Sequence, residues 1–379
     1  MVVGLIGGRM TAKPDIVSDN VPDIVIVGAG IVGACLAYEA SQRGLKPLVL
    51  SVGSPAGGGS ATAASWAWIN ACSTEDPDYF RLRHASLRRW QVWQQQIDGI
   101  AFSARETFLW DLPPDELANA VAQLSAFGYP VELLSGDETA ARLPRLRERP
   151  GAALYTAIEG AVEPVATAAR LIEASGAGVM QAHVHGLIVE GMRVTGVMTD
   201  KGPVAAGETV LAAGNATPAL LQTIGVTLKM QSSDGLLVLS RPVERFLDAV
   251  VAGPDFHVRQ RLDGCLLVGG TFGAYAPRPG MTSLYQNAAA QLARIASVFD
   301  CPAALEMDSF TLGRRPIPAG GMPRVGRSPH PDGGIFDGLY TVVMHSGFSN
   351  GAGVAQAALE DILSGTRTSE IAPFGMVAS

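Results

Sequence analysis

The sequence predicts an α/β fold: a Rossmann-type nucleotide-binding domain built from discontinuous segments, with a second, mixed-sheet domain of α+β character. Three observations carry this. Residues 23–51 read as strand, glycine turn, helix and strand. From Gly160 onward helical and extended patterns alternate, as they do around parallel sheets. Two blocks, residues 76–159 and 229–310, interrupt the pattern with elements of their own. At 379 residues the chain is too long for one ordinary core. It divides into an extension (1–22), a nucleotide-binding domain (23–75, 160–228 and 311–366), a second domain (76–159 and 229–310) and a tail (367–379).

Ile24 to Val27 form a β-branched run suited to a strand buried on both faces. Gly28-Ala29-Gly30-Ile31-Val32-Gly33 then supplies G-x-G-x-x-G where strand passes into helix. Gly28 permits the tight turn, Gly30 lets a pyrophosphate approach the backbone, and Gly33 lets helix pack closely on strand. Ile31 and Val32 open the helix, whose N-terminus carries roughly half a positive charge. Gly44 closes it, and Leu48-Val49-Leu50 makes the next strand. A carboxylate should end that strand to bind ribose hydroxyls, yet the residue there is Ser51. No second G-x-G-x-x-G follows, which argues against a resident NAD.

Small residues dominate positions 52–66. Such a run suits either a surface loop or a backbone sliding past a flat cofactor. Its place after the second strand favours the cofactor, with Ser60, Ala61 and Thr62 beside it and the two hydroxyls offered to phosphate. Residues 78–97 have helical periodicity, with Phe80, Leu82, Leu87, Trp90 and Trp93 inward. Arg81, Arg83, Arg88 and Arg89 read as its solvated face. A strand is expected over 108–112, a helix from Pro113-Pro114-Asp115-Glu116, and a short helix over 133–143.

Pro164 starts a helix that Gly176-Ala177-Gly178 ends. Residues 179–184 then read as a strand, 187–206 as a meander, and 208–213 as a second buried strand running into Ala213-Gly214. In the second block, strands over 236–240 and 265–268 and a helix over 284–298 are expected. A strand over 339–344 and a helix over 351–363 close the pattern.

Composition narrows the class. Hydrophobic residues at 47% and charged residues at 17% fit a well-buried enzyme. A net charge of −7, without a basic face carrying aromatics, argues against nucleic acid as a partner. Cys35, Cys72, Cys265 and Cys301 lack metal-ligand spacing and read as free thiols in a reducing compartment, and no metal is expected. Residues 1–22 lack a basic start and a cleavage pattern, and no run reaches the roughly 18 apolar residues a bilayer requires. The expected location is cytoplasmic.

Five segments stand in one order: VGAGIVG, GGGSATAAS, the helix after GAVEP, VLAAGN, and GRRPIPAGGMPRVG followed by MHSGFSNGAG. In these the chain resembles the FAD-dependent amine and amino-acid oxidoreductases typified by D-amino-acid oxidase, glycine oxidase and sarcosine oxidase, over nearly all of residues 23–365. The resemblance implies an FAD domain whose isoalloxazine is roofed by a mixed sheet drawn from the inserted blocks. It places Gly28, Gly30 and Gly33 at the pyrophosphate, Ser60 and Thr62 along the ribityl and phosphate groups, and Val184 at adenine. Ala213, Gly214 and Gly313 fall beside the cofactor, and Ser346, Gly347, Phe348, Ser349, Asn350 and Gly351 form a loop facing the flavin pyrimidine edge.

The same resemblance implies that Arg315, in the pair Arg315-Pro316, binds a substrate carboxylate, a task that suits its planar fork. The other reading is that Arg315 or Arg314 pairs with a structural acid. Gly320 stands where the family commonly has Asp. Thr62, Ala63 and Leu312 occupy neighbourhoods that carry covalent flavin in some relatives, so the expected FAD is non-covalent. His345 directly precedes the loop, and a structural histidine is favoured over a catalytic one. Trp66, Trp68, Tyr275 and Phe348 either wall an apolar pocket or fill core.

The implied activity is oxidation of a small amine or amino acid, by hydride transfer from the carbon bearing the nitrogen to flavin N5. Alternatives are a 2-hydroxy-acid or polyol dehydrogenase, or a weakly FAD-binding subunit of a hetero-oligomeric amino-acid dehydrogenase. Either homo- or hetero-oligomers are compatible with the sequence. None of Lys13, Lys46, Lys201 and Lys229 falls in the flavin loops, which leans toward a dehydrogenase over an oxygen-using enzyme. Ser51 implies weaker FAD retention than a carboxylate would give.

Overall fold

A computed structural model describes residues 21–57, 59–74, 76–103, 105–231, 233–270 and 280–376. The chain opens with β1 (Ile24–Val27), α1 (Ile31–Gln42), β2 (Pro47–Ser51) and a two-residue β3 (Trp68–Ile69). The first inserted block contributes α2 (Pro77–Gln96), β4 (Glu106–Leu109), α3 (Pro114–Ala126), β5 (Glu132–Ser135), α4 (Gly136–Arg142) and β6 (Ala152–Thr156). Next come β7 (Gly160–Ala161), α5 (Pro164–Ser175), β8 (Gly178–Gln181), β9 (Val184–Glu190), β10 (Arg193–Thr199), β11 (Gly202–Ala205), β12 (Glu208–Leu211) and α6 (Thr217–Gln222). The second block holds β13 (Met230–Gln231), β14 (Asp234–Ser240), β15 (Ala249–Ala252), β16 (His257–Gln260), β17 (Leu266–Gly269), α7 (Met281–Val298) and β18 (Met307–Arg314). β19 (Ile317–Pro318), β20 (Arg324–Pro329), β21 (Ile335–Val343) and α8 (Gly347–Ser364) complete it.

One sheet runs β11-β10-β21-β12-β1-β2-β8, with β9 on β10 and β20 on β21. Its centre is parallel: β1 lies between β2 and β12, and β12 pairs with β21. Every residue of β1 is buried, which explains its unbroken β-branched run. α1 packs on one face between α5 and α8, and α2 covers α8 in turn. The second sheet runs β18-β14-β17-β16-β15-β4-β6-β5 and draws on both inserted blocks. β18 continues through residues 310 and 311, where the sequence reading set a domain boundary.

Arg259 fixes the second sheet to the first domain's loops. Fully buried on β16, it donates to Trp66 O at 2.9 Å, Ser103 Oγ at 2.8 Å, Val162 O at 3.0 Å and Glu163 Oε1 at 3.1 Å. These donations leave the buried guanidinium well partnered.

Local chemistry corrects several sequence expectations. Residues 133–143 are not one helix: β5 ends at Ser135, whose hydroxyl caps the Glu138 N–H while Glu138 reaches back, so α4 starts afresh. Residues 179–184 divide into β8 and β9 around Ala182 and His183. The strand expected over 108–112 lies over 106–109. Arg83 and Arg89 are not a solvated face. Arg83 is 4% exposed, and Arg89 pairs with the buried Glu39 at 2.5 Å. The last helix begins at Gly347, a full turn before the expected 351. The extension through residue 20 lies outside the described residues.

At Gly353 the backbones of α8 and α2 nearly touch: a Cβ there would stand 2.9 Å from both N and Cα of Ser86. Gly353→Ala should therefore push the helices apart and destabilise the fold by about 1–3 kcal/mol. Chemical denaturation with intact far-UV signal measures this; an unchanged midpoint would show that the helices can shift freely.

Candidate active site

A cavity of about 1040 Å³ opens between the glycine turn, the small-residue loop, the start of α8 and the face of the second sheet. Gly28, Gly30, Ile31 and Val32 form one wall. Gly28 has φ +114°, and a Cβ on it would come 2.5 Å from Ala212 O on the neighbouring strand end. Gly33 does not reach the cavity. A Cβ there would overlap the Gly28 carbonyl oxygen, so its role is helix-on-turn packing.

The small-residue loop is tied to this turn. Thr62 Oγ1 accepts the Ile31 N–H at 2.9 Å, and Ala56 N–H donates to Ala29 O at 2.9 Å. Ser60 Oγ is engaged within the loop, donating to Ala56 O and accepting from Ala63 N. Ser60, Ala61 and Thr62 all line the cavity, as do Ser51, Val184, Ala213 and Gly214. Around Ser51 the wall continues through Ala182 and His183. Among the described residues Ser51 Oγ receives only the distant Gly53 N–H, at 3.5 Å.

α8 presents its N-terminus beside that of α1. A Cβ on Gly347 would lie 3.1 Å from Ile31 Cγ2 and 3.2 Å from Val32 Cγ2. Neither helix carries an acid in its first turn, and neither N-cap side chain bonds a helix N–H. Ser346, Gly347, Phe348 and Ser349 wall the cavity, whereas Asn350 and Gly351 face inward. Asn350 Nδ2 donates to Tyr79 Oη at 3.0 Å and His345 O at 3.2 Å, and Gly351 abuts Cys35 Sγ. Phe348 O accepts from Trp90 Nε1 at 2.7 Å, and Ser349 Oγ donates to Trp68 O at 2.9 Å. These bonds lock the helix start onto α2 and β3.

Across the cavity, the second sheet presents Leu237, His257, Gly235, Gly313 and Arg315. The Arg315 side chain folds over Gly235, where a Cβ would strike the guanidinium, and Nη1 donates to Ser233 Oγ at 3.1 Å. Arg314 pairs with the acid Asp234 at 3.2 Å, and the charge of Asp234 also acts on Arg315. Burial lowers the Arg315 pKa from its usual value, with Asp234 opposing the shift.

Two histidines share this space. His345 Nδ1 bonds Ser346 Oγ at 2.8 Å, and burial followed by the charges of Arg315 and Arg83 pulls its pKa down to about 4. His257, packed on Trp66 with ring centroids 4.3 Å apart, is pulled down to about 3 by burial and then by Arg315. Both rings are neutral at neutral pH. Trp66, Trp68 and Phe348 wall the cavity, and Tyr275 lies outside the described residues.

The sequence reading missed Arg83, His257 and Asp111 among the cavity residues. Arg83 donates to Asn70 O at 3.1 Å and also to the Asn70 side-chain carbonyl, with Tyr79 beneath it at 5.2 Å. A helical wheel would have put it on the apolar arc, four residues after Tyr79 and four before Leu87. His257 and Asp111 follow no motif and become visible only once the second sheet closes.

An elongated dinucleotide fits this cavity. The side-chain-free turn gives a pyrophosphate access to backbone at Gly28 and Gly30, two helix N-termini without first-turn acids face it, and the volume suits a large ligand. The family model described as FAD dependent oxidoreductase matches residues 23–360. Glycine oxidase of Pseudomonas aeruginosa is 25% identical over 364 residues, 90% of this chain and 94% of its own. D-amino acid dehydrogenase of Cereibacter sphaeroides is 30% identical over 290 residues, 70% of this chain and 63% of its own. The crystal structure of glycine oxidase from Geobacillus kaustophilus superposes with a TM-score of 0.80 at 21% identity, covering 94% of this chain and 98% of that one.

The histidine environments set a pH dependence. A histidine held below its unfolded value of about 6.5 contributes its full stability above that pH and loses it as pH falls toward the folded value. For His257 the window runs from about 6.5 down to about 3. Melting temperature should drop as pH falls from 7 to 4, and His257→Gln should flatten that slope. An equal slope in the variant would assign the loss to other groups.

Proposed function

The chain belongs to the FAD-dependent oxidoreductase family, and on that premise we propose that it oxidises a small amine or amino acid whose carboxylate Arg315 holds. The observation that carries this reading is Arg315: an arginine at the cavity wall, its guanidinium bent over Gly235 on the face of the second sheet. Bound FAD supplies an acceptor for the hydride that leaves the carbon bearing the nitrogen. Gly28, Gly30 and the N-terminal ends of α1 and α8 would hold its charged and polar groups, and Val184 and Ser51 would flank the ribose and adenine end.

The remaining chemistry belongs to side chains. Arg315 orients the substrate, its fork matching a carboxylate in two parallel bonds. His345 acts as a positioning residue. Its ring bonds Ser346 and its carbonyl takes Asn350 Nδ2, so it shapes the turn that aims the helix amides into the cavity. Neutral His257 and His345 add no positive charge beside Arg315 and leave the amine free to lose its proton to solvent. Trp66, Trp68 and Phe348 exclude water from the reacting carbon.

Three finer points belong to the same reading. Lys46, Lys201 and Lys229 stand away from the cavity, which favours an electron acceptor other than oxygen; Lys13 lies outside the described residues. Four free cysteines suit a reducing cytoplasm, and among the described residues no helix is long and apolar enough to cross a membrane. FAD is held non-covalently, between a nucleotide-binding and a substrate-binding domain.

The deciding experiment is an anaerobic screen of D- and L-amino acids and N-methyl amines against the flavin-loaded chain, followed by loss of flavin absorbance. Bleaching by 2-hydroxy acids alone would replace the amine reading with a hydroxy-acid one. Arg315→Leu should raise KM for a carboxylate substrate by about 30-fold or more, corresponding to loss of a desolvated charge pair. An unchanged KM would remove the clamp. Ser51→Glu should slow FAD dissociation, read by the rise of free-flavin fluorescence on dilution, because a carboxylate accepts stronger bonds from ribose than a hydroxyl does.

A further inference from the structure

The floor of the second sheet carries one carboxylate among the described cavity residues, Asp111. It stands two residues past the end of β4. Among the described residues its buried Oδ1 has no hydrogen-bond partner. The side chain as a whole is only half-buried and lines the cavity, so the accessible part of the carboxylate is what a ligand would meet. The nearby arginines are committed elsewhere: Arg83 to Asn70, Arg314 to Asp234, and Arg315 to the far side of the sheet.

Strand order measures that separation. Trp110 N–H donates to Ala252 O, which fixes Asp111 beside β15. Ala252 pairs with His257, His257 with Gly269, and Gly269 with Leu237 of β14, the strand over which Arg315 folds. Thus β15, β16 and β17 lie between β4 and β14, each step about 4.8 Å. Ala252, His257 and Leu237 floor the cavity along the way. The anion-binding and cation-binding groups stand at opposite ends of one row, with neutral surface between them.

We infer that Asp111 is a specificity-determining residue that receives a cationic group at the end of the substrate opposite its carboxylate. The substrate class is then an amino acid, or an N-substituted one, with a second amine or guanidine on its side chain. This rests on the amine-oxidation reading for its chemistry, but the binding it asserts can be measured apart from turnover.

The test uses the flavin-loaded full chain, with D- and L-lysine and arginine as probes and D- and L-norleucine as isosteric neutral controls. Thermal shift reports binding, and anaerobic flavin bleaching reports oxidation. The cationic probes should raise the melting temperature at concentrations about tenfold below those norleucine needs. Asp111→Asn should remove that preference, chiefly through a KM or half-saturation increase of about 30-fold for the cationic probes. Norleucine should stay within about twofold, and Asp111→Glu should keep the preference. Equal binding of lysine and norleucine by the wild type overturns the inference, as does an equal loss for both in Asp111→Asn. Cation-selective thermal shifts without bleaching by any amine would refute the amine-oxidation reading and leave the Asp111 assignment standing.

Discussion

The juxtaposition of two helix N-termini is the constraint from which most of this structure follows. α1 and α8 are far apart in sequence, yet Gly347 sits against Ile31 and Val32. Two positive dipole ends brought together repel each other in an empty protein and become favourable only around negative or electron-rich groups. Holding them there requires rigid supports. α8 is seated on α2 through Trp90 and Ser86, the Ser346 turn is braced by His345 and Asn350, and α1 is seated by Gly33 on the Gly28 carbonyl. Ala56, Ala67 and Ser346 are the non-glycine residues with left-handed backbone among those described, and all three line the cavity. Local strain thus gathers where the ligand would bind, as the surrounding fold over-determines it.

Charge inside the cavity is sorted by burial. Arginines remain cationic because their intrinsic pKa is far from neutrality, whereas the histidines beside them are held neutral by the same dehydration and by those arginines. One wall therefore presents permanent positive charge, and the rest of the floor is neutral up to Asp111. The arrangement orients a ligand by its charges and leaves the intervening surface to shape.

Much of the first domain was legible in the sequence because its signals are local. A β-branched run, a glycine turn and a helix occupy neighbouring residues, and Pro164 and Gly176 mark a helix at both ends. The second sheet was harder to read. β15 and β16 are four-residue strands buried throughout, so neither shows alternation, and β18 has its partners far away in sequence. The start of α8 was misplaced because Gly347 and Gly351 both resemble helix openings, and only the packing of Phe348 against α2 selects the earlier one. Arg83 was misjudged because charge outweighed position: its guanidinium finds Asn70 and Tyr79 in the interior, contacts no single-sequence pattern encodes. Cavity glycines were recognisable, while Asp111 and His257 needed the closed sheet.

The strand order also bears on how the molecule is made. β1 is synthesised before its neighbour β12, which lies some way downstream, and β12's other neighbour, β21, follows later still. The wall beside the glycine turn is completed only by α8. A growing chain thus carries a central apolar strand with an unfilled edge through most of its synthesis, a condition that slows folding and invites pairing with other chains. A chain cut short before α8 would keep its glycine turn yet lack the second half of the cradle.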